Sequence, residues 1–380
     1  MAERITIVGG GIVGAACAQA LARGGASVTV VESAFPGGGA TAAGMGHVVV
    51  MDDSPPQLAL TKRSRDLWHD LATQLPADAE WRPAGTLWVA ADDEEMAEAA
   101  RKEQRLANAG VEARLLDAGE LRRAEPSLRP GLTGGLLVPD DAVVYPPPVA
   151  AWLLAAAERQ GAHVIRGARV AVVAGDGLAP GHVRLVDGRT VGGEAVIVAA
   201  GTATNRLVAG VPLRPRKGHL VITERVPRFL AHQVIELGYV KRAHDVGTDS
   251  VAFNVQPRAT GQLLVGSSRQ VDVDLPDVDR AILRQMLDRC CEYMPALASV
   301  SAIRTWTGLR AATPDGLPLI GPLPELPGVW LATGHEGLGI TTSLGTAELI
   351  AHAFCGAATP LDPLPYLPER SSLTEAHPHG

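Results

Sequence analysis

The N-terminal thirty-two residues restrict the fold more than any other part of the chain. Residues 5–8 (Ile-Thr-Ile-Val) read as a strand, and Gly9-Gly10-Gly11-Ile12-Val13-Gly14 as a G-x-G-x-x-G turn opening a helix. Val28-Thr29-Val30-Val31-Glu32 then reads as a second strand ending in an acid. Gly9 permits the tight turn, Gly11 lets backbone approach a pyrophosphate, and Gly14 lets the helix pack closely on the strand. The pyrophosphate lies at the helix N-terminus, among free N–H groups and the positive dipole end. Glu32, with Ser33 beside it, is placed to accept hydrogen bonds from an adenosine ribose. An acid at that point disfavours a 2′-phosphate, and hence NADP.

Composition narrows the rest. The chain has 380 residues, enough for two domains, and 46% of them are hydrophobic. A net charge of −7, 4% aromatic residues and no dense basic patch argue against nucleic acid. The glycine-rich N-terminal stretch is a βαβ unit and not a signal peptide, and no run approaches the roughly 18 apolar residues of a membrane span. A soluble, cytoplasmic protein is expected. Four cysteines (Cys17, Cys290, Cys291, Cys355) form no C-x-x-C, which argues against a dithiol reductase, a cysteine-ligated metal and an iron–sulfur cluster in this chain. No metal site is expected, and His377 and His379 read as tail.

Along the chain, a Gly/Ala-rich loop over 36–46 carries Ala40, Thr41, Gly44, Met45 and Gly46. Helices are expected over 57–75, 92–109, 149–160 and 277–293, and strands over 81–90, 164–165 and 169–173, the last including Val170. Asp117 and Glu120 form a capping-box pattern. Residues 196–200 form an apolar run that ends at Gly201, as a buried parallel strand would. Between 217 and 302 the strands alternate (220–223, 250–254, 262–266), which suggests an antiparallel sheet with one open face. The C-terminal part repeats the opening logic: a strand over 329–333, the turn Gly334-His335-Glu336-Gly337-Leu338-Gly339, and a helix from Ile340 and Thr341 to 354.

Two strand–glycine turn–helix units at opposite ends of one chain suggest one long cofactor held at both ends. FAD suits this. A second helix N-terminus would stabilise negative charge near the pyrimidine edge of the isoalloxazine by about 1 kcal/mol.

The chain resembles the D-amino-acid oxidase/glycine oxidase (DAO) family of FAD oxidoreductases. The resemblance is carried by Gly9–Gly14, Glu32-Ser33, Ala42-Ala43-Gly44-Met45, Ala199-Ala200-Gly201, Gly308-Leu309-Arg310 with Thr313-Pro314-Asp315-Gly316, and Gly334-His335-Glu336-Gly337. It implies an α/β protein, α+β overall. A Rossmann-like FAD-binding domain (1–80, 140–216 and 303–365) would carry an inserted mixed or antiparallel-sheet substrate domain (81–139 and 217–302), followed by a loose tail (366–380). The segments 214–220, 251–258 and 334–341 further resemble one branch, the β subunit of heteromeric D-hydroxyproline or proline dehydrogenases.

From the resemblance, Arg310 matches the arginine that holds the substrate carboxylate. A tyrosine that partners it in the family has no clear counterpart, since Asn254 stands near that position; Tyr239 and His219 are the candidate replacements. His47 follows the loop that the resemblance puts beside the flavin ring, as a base, a hydrogen-bonding group or a buttress. His335 and Glu336 would meet the flavin through their backbone. No cysteine stands near Leu309, where some relatives link flavin covalently, so the FAD is expected to be dissociable. The implied reaction oxidises a C–N bond beside a carboxylate, with electrons passing to partner subunits bearing an Fe–S or second flavin chain. A free-standing glycine, sarcosine or D-amino-acid oxidase using O2 and a non-catalytic flavin scaffold are the alternatives.

Overall fold

The computed structural model describes residues 3–174, 178–238 and 249–375. The opening unit forms as its sequence dictates: β1 (Arg4–Val8), α1 (Ile12–Arg23) and β2 (Ser27–Glu32). Small residues along α1 (Ala15, Ala16, Ala18, Ala20) are buried and let the flanking helices close on it. A six-stranded sheet grows around this unit in the order β18 (Leu319–Pro322), β19 (Val329–Thr333), β12 (Ala195–Val198), β1, β2 and β8 (His163–Arg166). All neighbours are parallel except β18 with β19. The expected buried parallel strand is β12, wedged between β1 and β19. One face of this sheet packs against α1, the helix Pro146–Arg159 and the helix Gly339–Cys355. The other is covered by a small antiparallel sheet of β9 (Val170–Val173), β10 (His182–Leu185) and β11 (Thr190–Gly192).

The second sheet is mixed and larger. Its eight strands run β17 (Ala302–Ala312), β13 (Arg214–Thr223), β16 (Leu263–Val271), β15 (Ser250–Pro257), β14 (Gln233–Glu236), β4 (Thr86–Ala90), β6 (Gly134–Val138) and β5 (Arg114–Asp117). Alternation decides its two faces. Val221, Phe253, Val255 and Val265 pack beneath the helix Arg280–Tyr293 through Met286, Cys290 and Tyr293. Their neighbours Leu220, Ala252 and Asn254 therefore point the other way, toward the first sheet. A two-stranded ribbon, β3 (His47–Val48) with β7 (Ala142–Val143), lies in the connection between the sheets.

Several expectations shift. The helix expected over 149–160 begins at Pro146, the first-turn position where proline costs nothing. The strand expected over 81–90 is regular only from Thr86. The boundary expected at 216/217 cuts β13, and that at 302/303 falls at the start of β17. Both strands run whole within the larger sheet, because each is hydrogen-bonded to the other along nearly its full length. The segment after 366 is held, not loose, up to Ser372. Tyr366 is buried and donates to Pro56 O (2.7 Å), and Arg370 grips Asp315 with two hydrogen bonds (2.6 and 2.7 Å). Apolar burial under a proline-rich backbone is what the composition concealed. The capping box is present as read, with Asp117 and Glu120 each capping the other's backbone.

Candidate active site

A cavity of about 990 Å3 lies between the sheets, and both glycine turns open into it. At the first turn, Gly9 has φ +110°, and a Cβ there would lie 2.5 Å from Ala199 O. A Cβ on Gly14 would lie 2.0 Å from Gly9 O, so that glycine sets the approach of α1 and takes no part in the lining. Gly11 differs: its Cβ would meet only Thr41 Oγ1, at 3.2 Å, on the cavity side. No side chain of the N-cap residue closes the start of α1; Thr41 Oγ1 accepts from Ile12 N instead (3.0 Å). Glu32 is fixed at the end of β2 by Gly10 N and Ala34 N, each 2.7 Å from a carboxylate oxygen. Glycine cradle, helix terminus and fixed acid match the needs of an adenosine diphosphate moiety.

Ile12, Val13, Ser33, Ala40, Val170, Ala200 and Gly201 line the same part. The loop expected beside the ring is held tightly. Gln256 Nε2 donates to Met45 O (2.9 Å), and Gly46 sits at φ +105° where a Cβ would be 1.8 Å from Val144 O. Gly44, Met45, Gly46 and His47 all reach the cavity.

At the far end, β19 delivers Gly334 (φ +79°) and the start of the helix Gly339–Cys355, whose N-cap residue Leu338 offers no capping side chain. Gly334, Gly337, Leu338, Gly339 and Ile340 line the cavity, which places a second helix N-terminus there. Thr341 does not line it. Its Oγ1 donates to His47 O (2.9 Å) and accepts from Val49 N (3.2 Å), stitching the helix to β3. His335 turns its ring into the protein, where Nε2 meets Thr346 Oγ1 (2.9 Å) and burial pushes its pKa down to about 3, leaving only its backbone for a ligand.

The side chain of Glu336 has surroundings that the sequence did not suggest. Its carboxylate points toward three arginines of the larger sheet, Arg269 at 3.4 Å, Arg310 at 3.8 Å and Arg216 at 3.9 Å. Burial pushes its carboxyl up, but Arg269, Arg310, a hydrogen bond from Gly337 N and Arg216 outweigh that and hold it below the usual carboxylate range. Arg216, Arg269, Ser268 and Trp88 line the cavity and were not singled out by sequence. One signal could have found Arg216: alternation along β13 puts 216, 218 and 220 on one face.

The same alternation removes His219. It sits on the helix-covered face, with Nδ1 against Ser268 Oγ (2.9 Å) and Nε2 accepting from Asp279 N (2.9 Å) at the start of the helix Arg280–Tyr293. It braces that helix and does not line the cavity. Tyr239 lies outside the described residues. Arg310, Asn254 and His47 do come together on the cavity wall. Asn254 Oδ1 and His47 Nε2 are both shielded and lack a protein hydrogen-bond partner. A buried polar atom left unpaired costs about 1–3 kcal/mol, and neither atom is open to the cavity.

Burial, reinforced by the charge of Arg310, pushes the His47 pKa down to about 4 from 6.5. His47 is therefore neutral near pH 7. Between those two values the unfolded chain binds a proton at this site that the folded chain does not, so the folded protein loses stability as pH falls. One such group contributes up to about 1.4 kcal/mol per pH unit across that window. His47→Gln should remove that slope, measured as urea stability of both proteins at about pH 6.5 and pH 4.5. Identical pH slopes would contradict a buried, neutral His47.

A family model described as "FAD dependent oxidoreductase" matches residues 4–353. Hydrogen cyanide synthase subunit HcnC of Pseudomonas aeruginosa is 30% identical over 415 residues, covering 96% of this chain and 95% of that protein. The crystal structure of glycine oxidase from Geobacillus kaustophilus is similar at a TM-score of 0.85 and 27% identity, covering 97% of this chain and 99% of the other. L-proline dehydrogenase from P. horikoshii shares the fold, with a TM-score of 0.86 at 23% identity over 98% of both chains.

Proposed function

The chain belongs to the DAO family of FAD-dependent oxidoreductases, and on that premise we propose that it oxidises the C–N bond of a D-amino or cyclic imino acid, hydroxyproline- or proline-like, as the catalytic subunit of a dehydrogenase complex. The observation that carries this reading is one cavity lined at one end by the dinucleotide cradle and elsewhere by Arg310, Asn254 and His47.

Each residue then has a task. The fork of Arg310 makes two charge-assisted hydrogen bonds to the substrate carboxylate and fixes the α-carbon. Asn254, on the neighbouring part of the wall, bounds the space for the amine end. The amine must enter with its nitrogen neutral, the lone pair free to form the imine, and uncharged His47 adds no further positive charge beside Arg310. Bound FAD, held without a covalent link, supplies the acceptor for the α-hydrogen and its electron pair. Glu32, Gly9 and Gly11 hold the adenosine diphosphate end, and the helix start at Gly339 faces the other end. The larger sheet recognises substrate, and the six-stranded sheet holds cofactor.

The branch resemblance over 214–220, 251–258 and 334–341, together with the similarity to a protein named as a synthase subunit, supports transfer of electrons to partner chains. A cytoplasmic setting, where the four free cysteines stay reduced, belongs to the same proposal. Among the described residues no helix is long and apolar enough to cross a membrane. A second reading, a free-standing oxidase, draws on the similarity to glycine oxidase.

The reoxidation half of the cycle separates them. After reduction by substrate, the purified chain alone should remain reduced in air and be reoxidised quickly by a soluble dye acceptor. Rapid reoxidation by air alone would establish the oxidase reading in place of the subunit.

A further inference from the structure

Arg310 does not rest above its own strand. Its Nη1 donates to the carbonyl of Ser268 on β16 (3.3 Å), and β13 lies between β17 and β16. The side chain must therefore cross β13. Gly218 stands at the crossing: a Cβ there would come within 2.4 Å of Arg310 Nη2, 2.8 Å of Cζ and 3.0 Å of Ser268 O. On the same face of the strand its neighbours Arg216 and Leu220 carry full side chains. Gly218 is thus a single-residue gap that the guanidinium fills.

Backbone geometry does not account for this glycine. Gly218 does not have the left-handed φ seen at Gly9 or Gly46, and it sits mid-ladder opposite Gly308 in a ten-residue strand. Glycine in a strand interior weakens the strand and often marks a close approach. The approach here is by the side chain proposed to hold the substrate.

We propose that Gly218 is a positioning residue for the carboxylate anchor: its missing side chain lets Arg310 lie across β13 and aim its fork into the cavity. This rests on the reading of Arg310 as the carboxylate ligand. A methyl group at 218 pushes against the guanidinium, the movable partner. The displaced group lies nearest Glu336, already 3.8 Å from Nη1, and pairing there occupies the charge that would meet the substrate.

The test is a double-mutant cycle on the FAD-loaded protein with two readouts. Gly218→Ala should raise the KM for the amine substrate by about tenfold to a hundredfold, since a misplacement near 1 Å can cost that much. At saturating substrate the rate should stay within about twofold, as for loss of ground-state binding. Pyrrole-2-carboxylate, a planar aromatic carboxylate with no α-hydrogen to transfer, should lose calorimetric affinity by the same factor. In an Arg310→Ala background Gly218→Ala should add almost nothing, because the group it obstructs is gone. Should Gly218→Ala not fold, Gly218→Ala/Arg310→Ala must fold.

Three results overturn the inference: an unchanged KM and affinity in Gly218→Ala, a full effect that persists in the Arg310→Ala background, or a double variant that also fails to fold. If Arg310→Ala weakens pyrrole-2-carboxylate and Gly218→Ala does not, this inference alone falls. A wild-type chain that binds no carboxylate overturns it together with the functional reading beneath it.

Discussion

Arg310→Ala should raise the KM for the oxidised amino or imino acid by about thirtyfold to three-hundredfold. Removing one partner of a desolvated, hydrogen-bonded charge pair costs about 2–5 kcal/mol. The Arg310 side chain is 24% exposed, so the lower part of that range applies. The rest of the site limits the damage in a defined way. The dinucleotide cradle is untouched, so the purified variant should keep its FAD. Arg310→Lys should fall between, because an ammonium restores charge without the planar fork. Steady-state kinetics on the three proteins decides it, and a change in KM below about threefold for Arg310→Ala would remove the arginine from the account.

Gly9→Ala should cost the protein its cofactor. Two penalties act together at this position. Its φ of +110° is closed to a residue with a Cβ, at about 1–3 kcal/mol, and that Cβ would press on backbone 2.5 Å away, at a further ~1–3 kcal/mol. Neither neighbour can yield easily. Gly9 N donates to Val31 O (2.9 Å), and Ala199 N donates to Val8 O (2.9 Å), so the turn and the strand it strikes are tied into the same sheet. FAD affinity should fall by at least about a hundredfold, with a lowered melting temperature of the apoprotein. Gly11→Ala is the informative contrast. Its Cβ meets only Thr41 Oγ1 at 3.2 Å, so the apoprotein should melt as wild type does while FAD binding is still impaired. Flavin content after purification and apoprotein melting curves distinguish the two. Stoichiometric FAD in Gly9→Ala would contradict the cradle as described.

These two predictions mark what was legible in the chain before its structure. The cofactor half was readable because its logic is local: β1, the glycine turn, α1 and Glu32 lie within thirty-two residues and contact one another directly. Gly334–Gly339 repeated that logic at the other end. Arg310 was found through a motif resemblance. The remainder of the substrate wall comes from strands far apart in sequence. Trp88 on β4, Asn254 on β15 and Arg310 on β17 reach one cavity only through long-range pairings, such as β4 with β14 and β13 with β17.

Facing was the specific failure. His219 was weighed as a pocket group, yet the strand's period of two gives that face to the helix Arg280–Tyr293 and gives the cavity to Arg216 and Gly218. Which parity faces inward depends on the β13–β16 and β13–β17 registers, and the former shifts between Lys217 and Val221. Local composition carries no trace of that shift. The surroundings of the Glu336 carboxylate are hidden for a similar reason: the arginines around it come from three other strands.

The central claim is that the arginine-lined end of the cavity presents an amino or imino acid to FAD. Its most direct test is an anaerobic titration of the purified, FAD-loaded chain, following the flavin absorbance. The panel is glycine, sarcosine, D-alanine, L- and D-proline, both C2 epimers of hydroxyproline, and iminodiacetate. Bleaching of the flavin by a cyclic secondary amino acid is the predicted result, with Arg310→Ala requiring far higher concentrations to reach the same end point. A flavin that stays oxidised through the whole panel would contradict the claim.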